Sequence, residues 1–317
     1  MKKSFLVIVL LTLLLVLQSC ELFLEEEPLG SIHAIYVGLN YYGTDVNHLE
    51  GTLNDAEELQ QCLASLSTRH HRTYHSYSLL QKGGSSPSDY DPSSTFDSLP
   101  TKGHVLQAIE NLQPFLTEND LTIFSYSGHG HNDGSLVLAS PDASDPTIFD
   151  KDKKLKKDAL LSVTELLEAL SKLPGKQLLI MDSCYCGSFV EDSGSSVSLI
   201  EKEQFLDEAF STYFSSERYS PTLFVMAATT ASNTSKEPVS SSHIHGHFTK
   251  AVLDGLGWDC RTHSLQASTP AMKKGVLTTD SLYAYVLENQ DFPLAGTNPK
   301  RYQHPTISGG AYTLRLF

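Results

Sequence analysis

The sequence predicts an α/β protein with a mainly parallel sheet covered by helices on both faces. Three observations predict it. Apolar runs of strand length alternate with stretches of helical spacing along most of the chain. Two runs, Leu121-Thr-Ile-Phe124 and Leu178-Leu-Ile-Met181, are too continuously apolar for a half-exposed strand and suit strands buried on both faces. Both run straight into polar, glycine-bearing segments, Ser125-Tyr-Ser-Gly-His-Gly130 and Asp182-Ser-Cys-Tyr-Cys-Gly187. In an open parallel sheet, chemistry sits just past the carboxyl ends of the strands.

In chain order, Ile32–Leu39 reads as the first strand. Thr52–Leu66 follows with helical spacing at Leu59, Leu63 and Leu66, and Asn54 or Asp55 is placed to cap it. Tyr74–Leu80 is a second strand, residues 83–100 a Gly/Ser/Asp/Pro-rich surface loop, and Lys102–Leu116 a second helix. After the strand bearing His129 comes a short hairpin at Leu136–Ala139, then a charged, solvated loop at Lys151–Asp158. Ser162-Val-Thr-Glu165 is a capping box that opens a helix to Leu173, ended by Pro174-Gly175 before the strand bearing Cys184. Beyond it, residues 191–198 are polar, 199–215 helical, and Thr222–Thr229 a buried strand. Residues 232–243 are loop-like, helices follow at Gly246–Leu256 and Thr278–Glu288, and Tyr302–Phe317 closes as an edge strand.

Composition narrows the function. The 317 residues suffice for one large domain, 40% hydrophobic content supplies a core, and the net charge of −14 argues against general nucleic-acid binding. The five cysteines do not form a dense disulfide framework. Lys2 and Lys3 precede an apolar run, Phe5–Leu17, which is short for a spanning helix and right for a signal sequence. Leu17-Gln-Ser-Cys20 resembles a bacterial lipoprotein signal. That resemblance implies a signal peptide at 1–19, lipidation of Cys20, an acidic tether at 20–30, and a domain at 31–317 held at the bacterial cell envelope by a lipid anchor, on the periplasmic face or in the outer membrane.

Cys184 and His129 are the candidate catalytic residues. A cysteine after an apolar run is by default a small buried hydrophobe, and a histidine between glycines by default a solvated loop residue. Two adjacent strand ends, one carrying each, instead make a nucleophile–base pair, with the thiolate as the reactive species. Cys184 follows His129 by 55 residues, and caspases place their histidine roughly 50 residues before the cysteine. Tyr126-Ser-Gly-His-Gly130 and Asp182-Ser-Cys-Tyr-Cys-Gly187 together resemble the caspase-like cysteine peptidases, the clan of caspases, metacaspases, clostripain and gingipains, in the bacterial metacaspase-like branch. That branch usually has Asp-x-Cys-x-Ser-Gly, so Cys186 stands in place of a serine.

The resemblance implies a three-layer α/β/α sandwich of about six strands over residues 31–317. It implies hydrolysis of peptide bonds by a Cys-His dyad through a thioester, with the backbone N–H groups of Gly130 and Cys184 on the oxyanion. No third triad member stands out in the sequence. Leu49-Glu-Gly-Thr-Leu-Asn-Asp-Ala56 resembles the metacaspase segment whose aspartate lies in the specificity pocket, which maps substrate binding to Asp55, and to Ser127 and Asp182 beside the catalytic motifs. A carboxylate pair in a recess favours Arg or Lys side chains of protein substrates. Relatives of this fold are often cut after the catalytic strand, where this chain offers Arg218 and, second, Lys202 for self-cleavage.

Competing readings are a caspase-fold lipoprotein that only binds or scaffolds partners, and a thiol redox or metal protein using Cys184 and Cys186. The latter pair is neither C-x-x-C nor accompanied by a second ligand pair. His243-Ile-His-Gly-His247 resembles a short metal-binding tract but reads as a loop before a helix. Asp142, Asp145, Asp150 and Asp152 do not have EF-hand spacing, so the sequence supports neither calcium nor another cofactor.

Overall fold

Strand β1 (Ile32–Leu39) is buried at every one of its eight positions. The continuous apolar run follows from that placement, because this strand has helices over both faces. Around it the computed structural model describes residues 29–81, 99–131, 135–142, 144–185, 223–229, 235–238, 244–296, 301–308 and 313–317, with Cys184 and Tyr185 given by their backbone. The leader, Cys20, Cys186, Lys202, Arg218 and the segments 83–98 and 199–215 lie outside the described residues.

After β1 come α1 (Thr52–Arg69), β2 (Tyr74–Gln81), α2 (Lys102–Leu112), β3 (Leu121–Gly130) and the short pair β4 (Leu136–Val137) and β5 (Leu160–Leu161). Then follow α3 (Val163–Leu170), β6 (Lys176–Tyr185), β7 (Leu223–Ala227) and α4 (His247–Leu256). The small hairpin β8 (Trp258–Asp259) and β9 (Ser264–Leu265), α5 (Thr279–Asn289) and β10 (Thr306–Ser308) complete the order. The main sheet runs β10-β7-β6-β3-β1-β2, with β4 paired to β3 and β5 to β4. All neighbours in that path are parallel except β10, which joins β7 antiparallel at the edge.

The chain leaves β1 in one direction to reach β2 and returns past β1 to reach β3. Right-handed crossovers then require α1 and α2 on opposite faces, and the core divides that way. Ile35, Val37 and Leu39 of β1 pack with Val105 and Ile109 of α2 and Leu166, Leu167 and Leu170 of α3. Ile32, Ala34 and Tyr36 pack on the other side with Leu59, Leu63 and Leu66 of α1 and Phe248 and Val252 of α4. The two-residue period of a strand thus feeds two cores from one run. The reversal of strand order falls between β1 and β3, which opens a crevice at their carboxyl ends.

Some boundaries differ from the sequence expectation, each for a physical reason. Helix α1 begins at Thr52 with Gly51 as N-cap and no side-chain cap, so Asn54 and Asp55 lie inside the helix and cap nothing. The second helix stops at Leu112 because Pro114 leads only a three-residue 3-10 turn, Gln113–Phe115. The closing edge strand shrinks to Thr306–Ser308. Farther on, Arg315 bridges to Thr278, and Leu314, Leu316 and Phe317 sink into the core beside α5. The capping box at Ser162 is formed, Glu165 accepting from the Ser162 backbone N–H at 3.0 Å. Among the described residues no helix is long and apolar enough to cross a membrane.

Candidate active site

Strands β3 and β6 pair in parallel register over their whole length, and the register sets His129 opposite Cys184 at their carboxyl ends. Neighbouring strands lie about 4.8 Å apart, so the backbone brings base and nucleophile positions together. His129 is only 3% exposed. Its Nε2 lies 2.8 Å from the backbone oxygen of Asn47. A carbonyl can only accept, so Nε2 carries the proton and donates it, and a neutral ring then holds its lone pair on Nδ1. Burial pulls the His129 pKa down to about 4, against the Asn47 hydrogen bond, which raises it. The imidazole is therefore neutral at pH 7.

Two buried tyrosines hold this histidine. The Tyr41 hydroxyl accepts from the His129 backbone N–H at 2.8 Å and donates to Val137 O at 2.7 Å. The Tyr126 hydroxyl donates to His129 O at 2.6 Å. The Tyr41 ring lies against the imidazole with centroids 4.6 Å apart. Gly128 is required between them, since a Cβ there would meet both hydroxyls at 2.7 Å.

A recess beside these strand ends is lined by Thr52, Asp55, Ser127, Gly128, Asp182, Glu237 and neighbouring residues. Asp55, on the first turn of α1, is 2% exposed. It accepts from the Ser127 hydroxyl at 2.7 Å and from the Gly246 N–H at 3.1 Å, and its Oδ1 lies 2.9 Å from His245 Nδ1. Burial raises the Asp55 pKa to about 6, opposed by the His245 and Ser127 hydrogen bonds. Burial opposes a charge on His245, but hydrogen bonds to Asp55, Cys260 and Glu58 push its pKa up to about 12. Both values leave an ion pair at pH 7. Asp182 on β6 accepts from Thr249 N–H at 3.1 Å and Thr249 Oγ1 at 2.7 Å at the N-terminus of α4, and from the Ser235 hydroxyl. Gly246 must lack a side chain there, because a Cβ would stand 2.2 Å from Asp182 Oδ2.

With this site in view, the family is identified by its sequence model. The metacaspase, peptidase C14 domain model matches residues 33–193, just over half of the chain, from the second residue of β1 through the end of β6. The chain belongs to that family. It is similar to metacaspase-1 of Yarrowia lipolytica, 28% identical over 167 residues that cover 51% of this chain and 32% of that protein. It is similar also to metacaspase-4 of Arabidopsis thaliana, 25% identical over 177 residues, or 55% and 38% of the two chains. The matched stretch thus spans about a third of the length of these relatives. A crystal structure of a Geobacter sulfurreducens protein is similar at 18% identity with a TM-score of 0.48, over 90% of this chain and 93% of that one.

The recess of this metacaspase-family chain brings together Asp55, Ser127 and Asp182, as the sequence expects. It adds residues that the sequence reading missed. Glu237 accepts from the backbone N–H groups of Gly51 and Glu50 at 3.1 and 3.2 Å and so covers the uncapped start of α1. Burial first, and then the charge of Asp55, raise its pKa to about 7. Glu237 stands in a loop far from α1 in sequence, with no motif around it. Asn47 escaped notice because it acts through its carbonyl, which every residue possesses. The aspartates weighed for calcium are held locally instead: Asp145 by Lys156 Nζ at 2.8 Å and Asp142 by the Ser144 N–H at 2.9 Å, while Asp150 accepts from the Asp152 N–H at 2.8 Å.

Proposed function

We propose that this chain is a cysteine endopeptidase that cuts after Arg or Lys through a thioester on Cys184. The observation that carries the reading is the buried carboxylate recess next to the His129 and Cys184 strand ends. Asp55, Asp182 and Glu237 converge on it, while Lys236 is the one basic side chain among its lining residues. A desolvated carboxylate group selects a guanidinium or ammonium through charge-assisted hydrogen bonds, and an aspartate side chain would be repelled there.

The proposed chemistry uses the following groups. Neutral His129 takes the Cys184 thiol proton on Nδ1, and the resulting imidazolium stays hydrogen-bonded through Nε2 to Asn47 O. The thiolate attacks the scissile carbonyl, and the backbone N–H groups of Gly130 and Cys184 stabilise the oxyanion. His129 returns the proton to the leaving amine. Water, deprotonated by the same imidazole, then cleaves the thioester. Anchoring through Cys20 and self-cleavage after Arg218 or Lys202 belong to the same proposal and rest on sequence alone. The deciding experiment compares hydrolysis of Arg, Lys and Asp peptide reporters by the wild-type chain and by Cys184→Ala. The expected result is Arg/Lys cleavage that disappears in the variant. Preference for Asp reporters overturns the specificity, and undiminished turnover by Cys184→Ala overturns the nucleophile.

A further inference from the structure

Behind the recess, on the far side of His245 from Asp55, lies a mixed group of nitrogen, sulfur and oxygen donors. Glu58 of α1, His245 and Cys260 each direct one such atom into a cluster in which all three lie within 4.8 Å of one another. Among the described residues this is the one group of three or more His, Cys, Asp or Glu side chains so disposed. His245 Nε2 stands 3.6 Å from Glu58 Oε2. A fourth donor, His263, borders the cluster with Nδ1 2.8 Å from Glu58 Oε1, and its side chain is half exposed. Cys260 and His263 belong to the tight turn Cys260-Arg-Thr-His263 between β8 and β9, a C-x-x-H spacing that the sequence reading did not single out.

We propose that Glu58, His245 and Cys260, with His263 at the solvent side, form a site for a divalent zinc-type cation. Tetrahedral zinc takes thiolate, imidazole and carboxylate at about 2.0–2.3 Å, which sets donor atoms about 3.3–3.8 Å apart. The His245–Glu58 distance of 3.6 Å already has that value, and no gap among the three donors exceeds 4.8 Å. Calcium and magnesium prefer oxygen shells, so a set with one sulfur and one or two imidazoles selects a borderline cation. The surroundings suit a metal centre as well. Asp55 holds the other ring nitrogen of His245, the carboxylate–histidine–metal arrangement that fixes a ligand ring. Trp258 Nε1 donates to Glu58 Oε2 at 2.7 Å and orients that carboxylate. On binding, the Cys260 thiol, His245 Nε2 and, where it completes the shell, His263 Nδ1 give up their protons to solvent, while the His245 Nδ1–H stays hydrogen-bonded to Asp55. The cation would tie α1, the residues before α4 and the β8–β9 turn together behind the specificity recess. This inference does not depend on the peptidase reading, and neither Cys184 nor His129 takes part in it.

Cobalt(II) alone, titrated into the full chain, reports the site without any turnover. In Cys184→Ala, one equivalent is expected to give intense tetrahedral visible bands and a thiolate-to-cobalt charge-transfer band in the near ultraviolet. Adding Cys260→Ser should remove the charge-transfer band. Asp55→Asn should weaken cobalt binding on the order of 10- to 100-fold, as loss of an outer-shell partner does. Absence of the band in Cys184→Ala, or its survival after Cys260→Ser, overturns the proposal. A second measurement needs no change at Cys260. Zinc should slow alkylation of Cys260, mapped by peptide mass spectrometry in the Cys184→Ala chain, and equal rates with and without zinc also overturn the site.

Discussion

The strand ends and the recess beside them are built in opposite ways. His129 and Cys184 each stand one residue before the end of a strand in one continuous parallel ladder, so their placement follows from the register of β3 and β6. The recess instead draws Asp55 from a helix, Asp182 from a strand, and Glu237 and Gly246 from segments distant in sequence. The first arrangement is local and rigid, carried by sheet hydrogen bonds. The second is held by side-chain contacts across the fold, the Ser127–Asp55, His245–Asp55 and Thr249–Asp182 hydrogen bonds among them. In a peptidase of this design, changes at the strand ends should act on turnover, and changes in the recess on substrate binding.

The largest expected effect tests the first half. His129→Ala should lower kcat by roughly 10²–10⁴, the range for loss of a general base, with little change in the KM of Arg reporters, and Cys184→Ala should leave no turnover above background. Steady-state kinetics on the folded variants reads this. A His129→Ala enzyme with normal kcat and raised KM would invert the division.

Next comes the recess. On the proposed Arg/Lys specificity, Asp55→Asn removes a desolvated charge that pairs with the substrate cation, a loss of about 2–5 kcal/mol, or about 30-fold to a few thousandfold in kcat/KM for Arg reporters. The loss should appear in KM. The same variant removes the carboxylate at His245 Nδ1 and leaves Glu58 at 3.6 Å from Nε2 as the remaining charged partner, so its unfolding midpoint should fall too, and kinetics must be read where the protein is folded. An equal drop in kcat at unchanged KM would show that recess and strand ends work as one unit.

Tyr41→Phe probes the support of His129. It strips the hydroxyl that accepts the His129 N–H and donates to Val137 O, both buried. Leaving a buried donor unsatisfied costs about 1–3 kcal/mol, to be seen as a lower chemical-denaturation midpoint with some loss of kcat. Unchanged stability would mean that Tyr126, already bonded to His129 O, takes over.

The smallest effect is a shift in a pH profile. Glu237 titrates at about 7 in the free protein, raised by burial, by Asp55 and by Asp182, and Lys236 shares its recess. Above that pH it carries a negative charge and favours a cationic substrate, and below it the charge is lost. The kcat/KM of an Arg reporter should therefore fall as pH drops through 7. Glu237→Gln should move this acid limb to lower pH, each unit corresponding to about 1.4 kcal/mol. A limb that stays at 7 in the variant would assign it to another group.

By itself the sequence determined the layered α/β architecture and the place of the candidate catalytic motifs. Those features are local: a buried strand needs a continuous apolar run, a capping box needs Ser162 and Glu165 three apart, and each strand's exit carries its polar, glycine-bearing segment, 125–130 or 182–187. It pointed to Asp55, Ser127 and Asp182 only through resemblance, since a carboxylate on the first turn of a helix reads equally well as a cap. Tertiary structure decided that Asp55 faces inward, because Gly51 starts α1 one turn earlier and Glu237 covers the helix end from afar. It also decided that Asn47 orients His129 through a backbone oxygen, a function no side chain encodes. The gathering of Glu58, His245 and Cys260 also needed the tertiary structure, since the sequence offered only the tract His243-Ile-His-Gly-His247 and no partner for it. Contacts between residues some 200 positions apart are set by how two helices and a hairpin pack over one sheet, and nothing in their local sequence records that they meet.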